Sequence, residues 1–187
     1  MTKPHLNALK ILAFKAKERR VSLTVVCGDV ENLCFSENAF DLAIASEVFE
    51  HLVNPLAFAK SIERIVRPGG SLIVTIPNGF SLLELYRRLR RIGRLVLNRV
   101  RGLEFKAGPD AHMQWFTLGQ FIRLIEGSTS FRLCAKRHSN VISGFLYWVF
   151  GIRSYALEWA DCWLADHLPS FLVGGWYMLF RKAHTNV

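Results

Sequence analysis

The chain is poor in cysteine and has none in pairs: Cys27, Cys34, Cys134 and Cys162 form no CxxC unit. That spacing speaks against a metal site or a disulfide framework and reads as buried thiols in a reducing compartment. No apolar run reaches the roughly 18–20 residues needed to span a bilayer. The longest approaches, VISGFLYWVFG (141–151) and LPSFLVGGWYMLF (168–180), are broken by glycine. MTKPHLNALKILAFKAKERR at the start lacks the continuous apolar core and small-residue cleavage site of a secretory signal. The expected setting is cytoplasmic, either free or peripheral at a membrane. No internal repeat, low-complexity tract or linker divides the 187 residues, so one domain is expected.

Acidic residues are scarce, at 15 against 24 lysines and arginines, for a net charge of +9. Such a balance implies an anionic neighbour, nucleic acid or an acidic membrane surface, although basic proteins without either are common. With 51% hydrophobic, 21% charged and 12% aromatic residues the chain reads as globular and not disordered.

Hydrophobic periodicity predicts the elements. Leu6, Leu9, Leu12-Ala13 and Ala16 recur at helical spacing, with Lys10, Lys15, Lys17 and Arg19-Arg20 mostly opposite, which suggests a helix over 5–20. Leu23–Cys27 is a β-branched run of the kind found in buried parallel strands, followed by a loop over 28–40. Asp41–Ala45 is a second strand. Asn54-Pro55 opens a helix with proline in its first turn, burying Leu56, Ala59, Ile62-Glu63 and Val66. Pro68-Gly69-Gly70 reads as a turn that stops this helix and starts the strand Ser71–Ile76. Farther on, a helix over 80–101, a loop over 102–116, a helix over 118–126 capped by Thr117, strands at Phe131–Lys136 and Gly175–Arg181, and an aromatic-rich helical stretch at about 145–166 complete the pattern.

Open α/β sheets bind ligands at the carboxyl ends of their strands. Asp29, Ser46-Glu47 and Pro77-Asn78 stand at three such ends. A carboxylate closing a strand, with the next backbone amide, suits the edge of a nucleobase; it equally suits the capping of a loop. Ser46-Glu47 carries the same ambiguity.

The order GDVENLCF, FDLAIASEVFEHL, RIVRPGGSLIVTIPN resembles the class I S-adenosylmethionine-dependent methyltransferases. The nearest likeness is to the branch that includes the ubiquinone and menaquinone biosynthesis enzymes and many small-molecule methyltransferases. The resemblance spans about residues 5–125, including HMQWFT at 112–117, with Cys34 where the family usually has proline. It implies a Rossmann-like α/β fold, a parallel sheet with helices on both faces, and S-adenosyl-L-methionine as cofactor, with no metal. Asp29 and Val30 would hold the adenine, and Ser46 would lie beside the methionine part. Transfer would be in-line displacement at the sulfonium methyl, where positioning does most of the work. An oxygen acceptor also needs a base within hydrogen-bond reach; His51, His112 and Glu47 are the candidates, each with a structural role as its alternative.

The departures from the family matter as much. No GxG triplet occurs anywhere, so the glycine-rich cofactor loop is missing, as is the acidic residue of the next strand. The family's sheet order, 3-2-1-4-5-7-6, would place two absent strands between those ending at Asp29 and Ala45, leaving a gap of about 14 Å. Either the neighbours close up or the chain is a fragment of a longer protein, and the fragment is the expectation.

Between residues 80 and 106 stand eight lysines and arginines against two glutamates, a net +6 of the chain's +9. This basic amphipathic insertion either lies on an anionic membrane or packs its leucines on the sheet with its arginines solvated. The aromatics of the tail are expected in the core. The functional expectation is methyl transfer to a small-molecule or lipid-like acceptor. Alternatives are an RNA or DNA methyltransferase, or a non-catalytic remnant acting as a binding module; Ser46-Glu47-Val48-Phe49 stands where amino-directed nucleic-acid enzymes carry an Asn/Asp-Pro-Pro-aromatic motif.

Overall fold

The computed structural model describes residues 11–12, 14–26, 28–100, 113–152 and 154–184. Residues 11–12 and 14–18 are helical, with the side chains of Ile11 and Phe14 exposed; residues 5–10 and 13 of the expected 5–20 helix lie outside the described residues. The ordered elements then follow as β1 (Phe40–Ser46), α1 (Pro55–Ile65), β2 (Val66–Pro77), α2 (Leu82–Val100), α3 (Leu118–Ser128), β3 (Phe131–His138), α4 (Ser143–Phe150), α5 (Tyr155–Asp166) and β4 (Gly175–Lys182). Short 3-10 turns occupy Val30–Asn32 and Phe49–His51.

The sheet order is β1-β2-β4-β3, which is the 4-5-7-6 end of the expected order. β1 runs parallel to β2, while β4 is antiparallel to both β2 and β3. Three strands therefore share a direction and β4 alone is reversed, so the sheet is mixed and not wholly parallel. Side chains alternate across each strand. Leu72, Val74 and Ile76 of β2 pair with Phe180, Met178 and Trp176 of β4, and all six are buried. Against this face pack Phe58, Ala59, Ile62 and Ile65 of α1 with Phe121 and Ile125 of α3.

Local chemistry explains the helix starts. Asn54 accepts a hydrogen bond from the Ala57 amide at 3.1 Å, with Pro55 at the first helical position. Thr117 and Gln120 form a reciprocal capping box on α3.

Several expectations are corrected. Leu23–Cys27 forms no strand: residues 21–26 carry no strand pairing and are exposed, and Cys27 is outside the described residues. A lone strand has no neighbour to satisfy its backbone groups, so local propensity does not suffice. Pro68-Gly69-Gly70 lies inside β2 as a bulge, where the partners of Phe40 and Leu42 jump from Val66 to Ser71. Gly69 takes a left-handed φ of 72° there, and a Cβ on Gly70 would stand 2.9 Å from the Asp41 carbonyl. Leu56 is exposed and Phe58 takes the buried position in α1. Cys34, Cys134 and Cys162 are exposed free thiols, not buried ones. The aromatic stretch at 145–166 breaks into α4 and α5 at Gly151, whose φ is 70°. Of the tail aromatics, Trp176 is in the core but Tyr147, Trp159, Trp163 and Tyr177 are exposed.

The break between β3 and α4 is held by one carboxylate. Asp161 of α5 is buried and accepts from the amides of Val141, Ile142 and Ser143 at 2.7–3.1 Å. Burial alone would raise its pKa, but the Ser143, Val141 and Ile142 hydrogen bonds outweigh it and hold the group below the ordinary carboxylate value. Its contribution is therefore present at neutral pH and is lost as pH falls through the lowered folded-state value. Asp161→Ala leaves three amides short of a partner and should cost on the order of 3 kcal/mol by denaturant titration at neutral pH, a difference that shrinks in acid.

Candidate functional site at the carboxyl ends of the first two strands

β1 ends at Ser46, directly opposite Thr75 of β2. The two hydroxyls are 2.8 Å apart. Glu47 follows in a left-handed conformation, φ 52°, unusual for a residue with a side chain. Its amide donates to the Thr75 carbonyl at 3.0 Å, and the Thr75 hydroxyl donates to Glu47 Oε1 at 3.2 Å. Two residues later Phe49 is fully buried, its ring 4.9 Å from that of Phe58 and 5.0 Å from that of Phe121.

Glu50 is carried inward with it and is 1% exposed. Its carbonyl accepts from the Met113 and Gln114 amides at 2.8 and 2.9 Å, but neither carboxyl oxygen has a hydrogen-bond partner among the described residues. Burial first, then the charges of Glu47 and Glu84, push its pKa up to about 7. His51 Nε2 lies 3.8 Å from Glu50 Oε1, and the imidazole is 44% exposed. Among the described residues no group of three or more His, Cys, Asp or Glu side chains has the arrangement to hold a metal ion.

These strand ends open on a cleft of about 380 Å³. Ser46, Glu47 and Thr75 line one side, and Ser81, Glu84 and Arg87 from the start of α2 line another. Glu84 is itself buried and paired with Arg87 at 2.7 Å. The far wall comes from Asn140 and from the start of β4, including Tyr177. Asn78 closes the end of β2: its side-chain amide donates to the carbonyls of Phe171 and Val173, and its oxygen accepts from the Phe80 amide. This strand-end asparagine is a structural tie.

Asp29 is exposed and caps the turn at Val30–Asn32, accepting from the Glu31 amide at 2.9 Å. Glu31 in turn accepts from the Asn54 amide at 2.8 Å, which fastens Asp29-Val30 beside the start of α1, on the carboxyl-end side of β1. α1 also holds the loop after it, through Ser61 to the Glu31 carbonyl and Arg64 to the Leu33 and Phe35 carbonyls. Of the sequence candidates, Ser46 and Glu47 meet in the cleft. Asp29 and Val30 stand outside its lining, His51 sits beside Glu50 on the 3-10 turn, and His112 lies outside the described residues. Glu50, Glu84 and Thr75 were not singled out from the sequence.

Comparison with known proteins agrees with this geometry. Residues 3–74 match the family model described as a methyltransferase domain. An uncharacterized protein of Methanocaldococcus jannaschii is 40% identical over 79 residues, covering 42% of this chain and 32% of that protein. The ubiquinone/menaquinone biosynthesis C-methyltransferase UbiE of Bdellovibrio bacteriovorus is 30% identical over 99 residues, covering 49% of this chain and 42% of its own. The chain thus spans less than half the length of these two relatives. Among solved structures the cyclase SpnF shares the fold with a TM-score of 0.55 at 18% identity, covering 94% of this chain and 62% of that one. The motif order, the match over residues 3–74 and the sheet order agree: this part of the chain is similar to methyltransferase domains, including that of the UbiE-type enzyme, and the sheet has the fold shared with the cyclase.

Proposed function

We propose that this domain transfers a methyl group from S-adenosylmethionine to a small-molecule or lipid-like acceptor held in the cleft between the end of β1 and the start of α2. The observation that carries the reading is the cleft itself, at the strand ends where open α/β sheets bind their ligands. The cofactor would supply an electrophilic methyl group on a sulfonium centre. The chain's residues fit one end of it: an exposed carboxylate at Asp29 with the adjacent Val30 amide suits an adenine edge, and Ser46 stands at the cleft margin. No described segment offers a glycine-rich turn for the other end. Glu47 is the base best placed to meet an acceptor, since it lines the cleft and the Thr75 hydroxyl orients it. His51 is a second candidate on the neighbouring turn.

The setting of α2 favours an apolar acceptor at a membrane surface. Leu85, Leu89, Ile92 and Val96 fall on one helical face, and all four are exposed, with Leu89 at 61%. They do not pack on the sheet. Exposed Arg90, Arg91 and Arg99 lie around the same helix, a distribution suited to lying in an anionic interface. Arg88 is used internally, stacked over Trp115 at 4.1 Å and donating to the Gly79 carbonyl at 2.6 Å. The first turn of α2 lines the cleft, so the helix that would meet lipid also borders the acceptor's entrance. Among the described residues no helix is long and apolar enough to cross a membrane.

Two measurements test these readings. Calorimetry with S-adenosylmethionine should give binding with a rise in melting temperature, and Asp29→Ala should weaken it at least tenfold, about 1.4 kcal/mol. Absence of heat and of any thermal shift would remove cofactor use by this chain, and an unchanged affinity in the variant would remove the adenine assignment. In co-sedimentation, vesicles containing phosphatidylglycerol should retain the protein and pure phosphatidylcholine vesicles should not. The retention should fall with added salt and drop about tenfold in Leu89→Glu; equal retention on both vesicle types would refute the membrane contact.

A further inference from the structure

β3 forms the sheet edge opposite β1, and Lys136 and His138, two residues apart, share one of its faces. Both meet Ser170, which sits in a turn that the Leu172 amide closes by donating to the Pro169 carbonyl. Hydrogen-bond logic fixes the role of each group. His138 Nδ1 lies 2.7 Å from the Ala165 carbonyl of α5. A carbonyl only accepts, so Nδ1 carries the proton and the neutral ring presents its lone pair at Nε2. Nε2 is 3.0 Å from Ser170 Oγ, and the serine hydroxyl donates to it. Lys136 Nζ donates to the same oxygen at 3.2 Å. Asp166 accepts from the His138 backbone amide and from Arg137, which leaves the imidazole to the carbonyl and the serine. A hydroxyl bonded to a base that a third group holds in the required orientation is the arrangement that activates serine as a nucleophile.

We propose that Ser170 and His138 form a second reactive site, separate from the methyl-transfer cleft, which takes the acyl group of an ester. Lys136, His138 and Ser170 are all absent from the lining of that cleft. Ser170 is half-buried, and the residues that follow it, Phe171 and Leu172, are 68% and 46% exposed. Such a surface suits an apolar acyl chain. In the first step the Ser170 O–H bond breaks and its proton goes to His138 Nε2, while the oxygen's electron pair forms a bond to the ester's carbonyl carbon. The bond from that carbon to the leaving oxygen then breaks. Its electrons stay on the leaving oxygen, which takes the proton back from the imidazolium and departs as an alcohol. The acyl-serine left behind is hydrolysed by water, with His138 taking the water's proton and returning it to Ser170 as the carboxylic acid is released. The Lys136 ammonium lies against the oxygen on which negative charge gathers as the serine loses its proton.

The test distinguishes a reactive serine from a tie between β3 and the turn. A fluorophosphonate added to the full chain at neutral pH should phosphonylate Ser170, as read by mass spectrometry after digestion, and should not do so in urea. 4-Nitrophenyl butyrate should give a burst of nitrophenolate of about one equivalent and leave a butyryl group on the same serine. His138→Gln keeps a side chain able to hydrogen-bond the hydroxyl but supplies no base. It should slow both reactions at least about 100-fold with little change in melting temperature. No label on the folded chain, label on another residue in place of Ser170, equal labelling in urea, no butyryl group on Ser170, or unchanged rates in His138→Gln would each overturn the proposal. Labelling of the parent chain, folded against urea-treated, decides the question even where a variant does not fold. None of these measurements uses S-adenosylmethionine, so their outcome is independent of methyl transfer.

Discussion

The arrangement of the site depends on where Phe49 must go. Its ring is buried against Phe58 of α1 and Phe121 of α3, while Ser46, three residues earlier, is still in register with Thr75. Only Glu47 and Val48 connect the strand to the pinned ring, and the turn is closed by the left-handed conformation of Glu47. That conformation costs about 1–3 kcal/mol. Removing a core phenylalanine costs about 3–5 kcal/mol, so the burial wins and the strain persists. The same burial carries Glu50 inward. One buried ring thus accounts for the turn at Glu47 and the burial of Glu50.

Much of the fold was legible because the elements that could be read are locally determined. β1 and α1 announce themselves by apolar spacing and by Asn54-Pro55, and the Thr117 cap acts within three residues of itself. Leu23–Cys27 has an equally good strand pattern, but strands are completed by neighbours, and residues 21–26 pair with none. The PGG segment was read as a turn from composition; only the register against Phe40 and Leu42 reveals it as a bulge inside β2.

The site was less legible, for a related reason. Glu47 and Ser46 could be found because a strand end is a position in the sequence. Burial of Glu50 cannot be seen there, since glutamate is ordinarily exposed and its setting is made by Phe121 and Met113-Gln114, more than sixty residues away. Periodicity likewise identifies the apolar face of α2 without saying what covers it. The exposure of Leu85, Leu89, Ile92 and Val96 shows that these four side chains are not packed on the sheet.

The distribution of charge separates two questions that composition merges. The chain's net +9 suggests anionic partners, and the excess is concentrated in the segment around α2. The cleft beneath the first turn of that same helix has the opposite character, with Glu47 and Glu84 on its walls, Glu50 behind them and Arg87 already committed to Glu84. Net charge acts on encounter at long range, whereas selection in a pocket depends on groups within a few ångströms and on their desolvation. The exposed Arg90, Arg91 and Arg99 stand along the outside of α2, while the buried Glu84 of its first turn faces the cleft. Neither property can be deduced from the other, and the molecule has room for both because a single helix presents one to solvent and the other to the cleft.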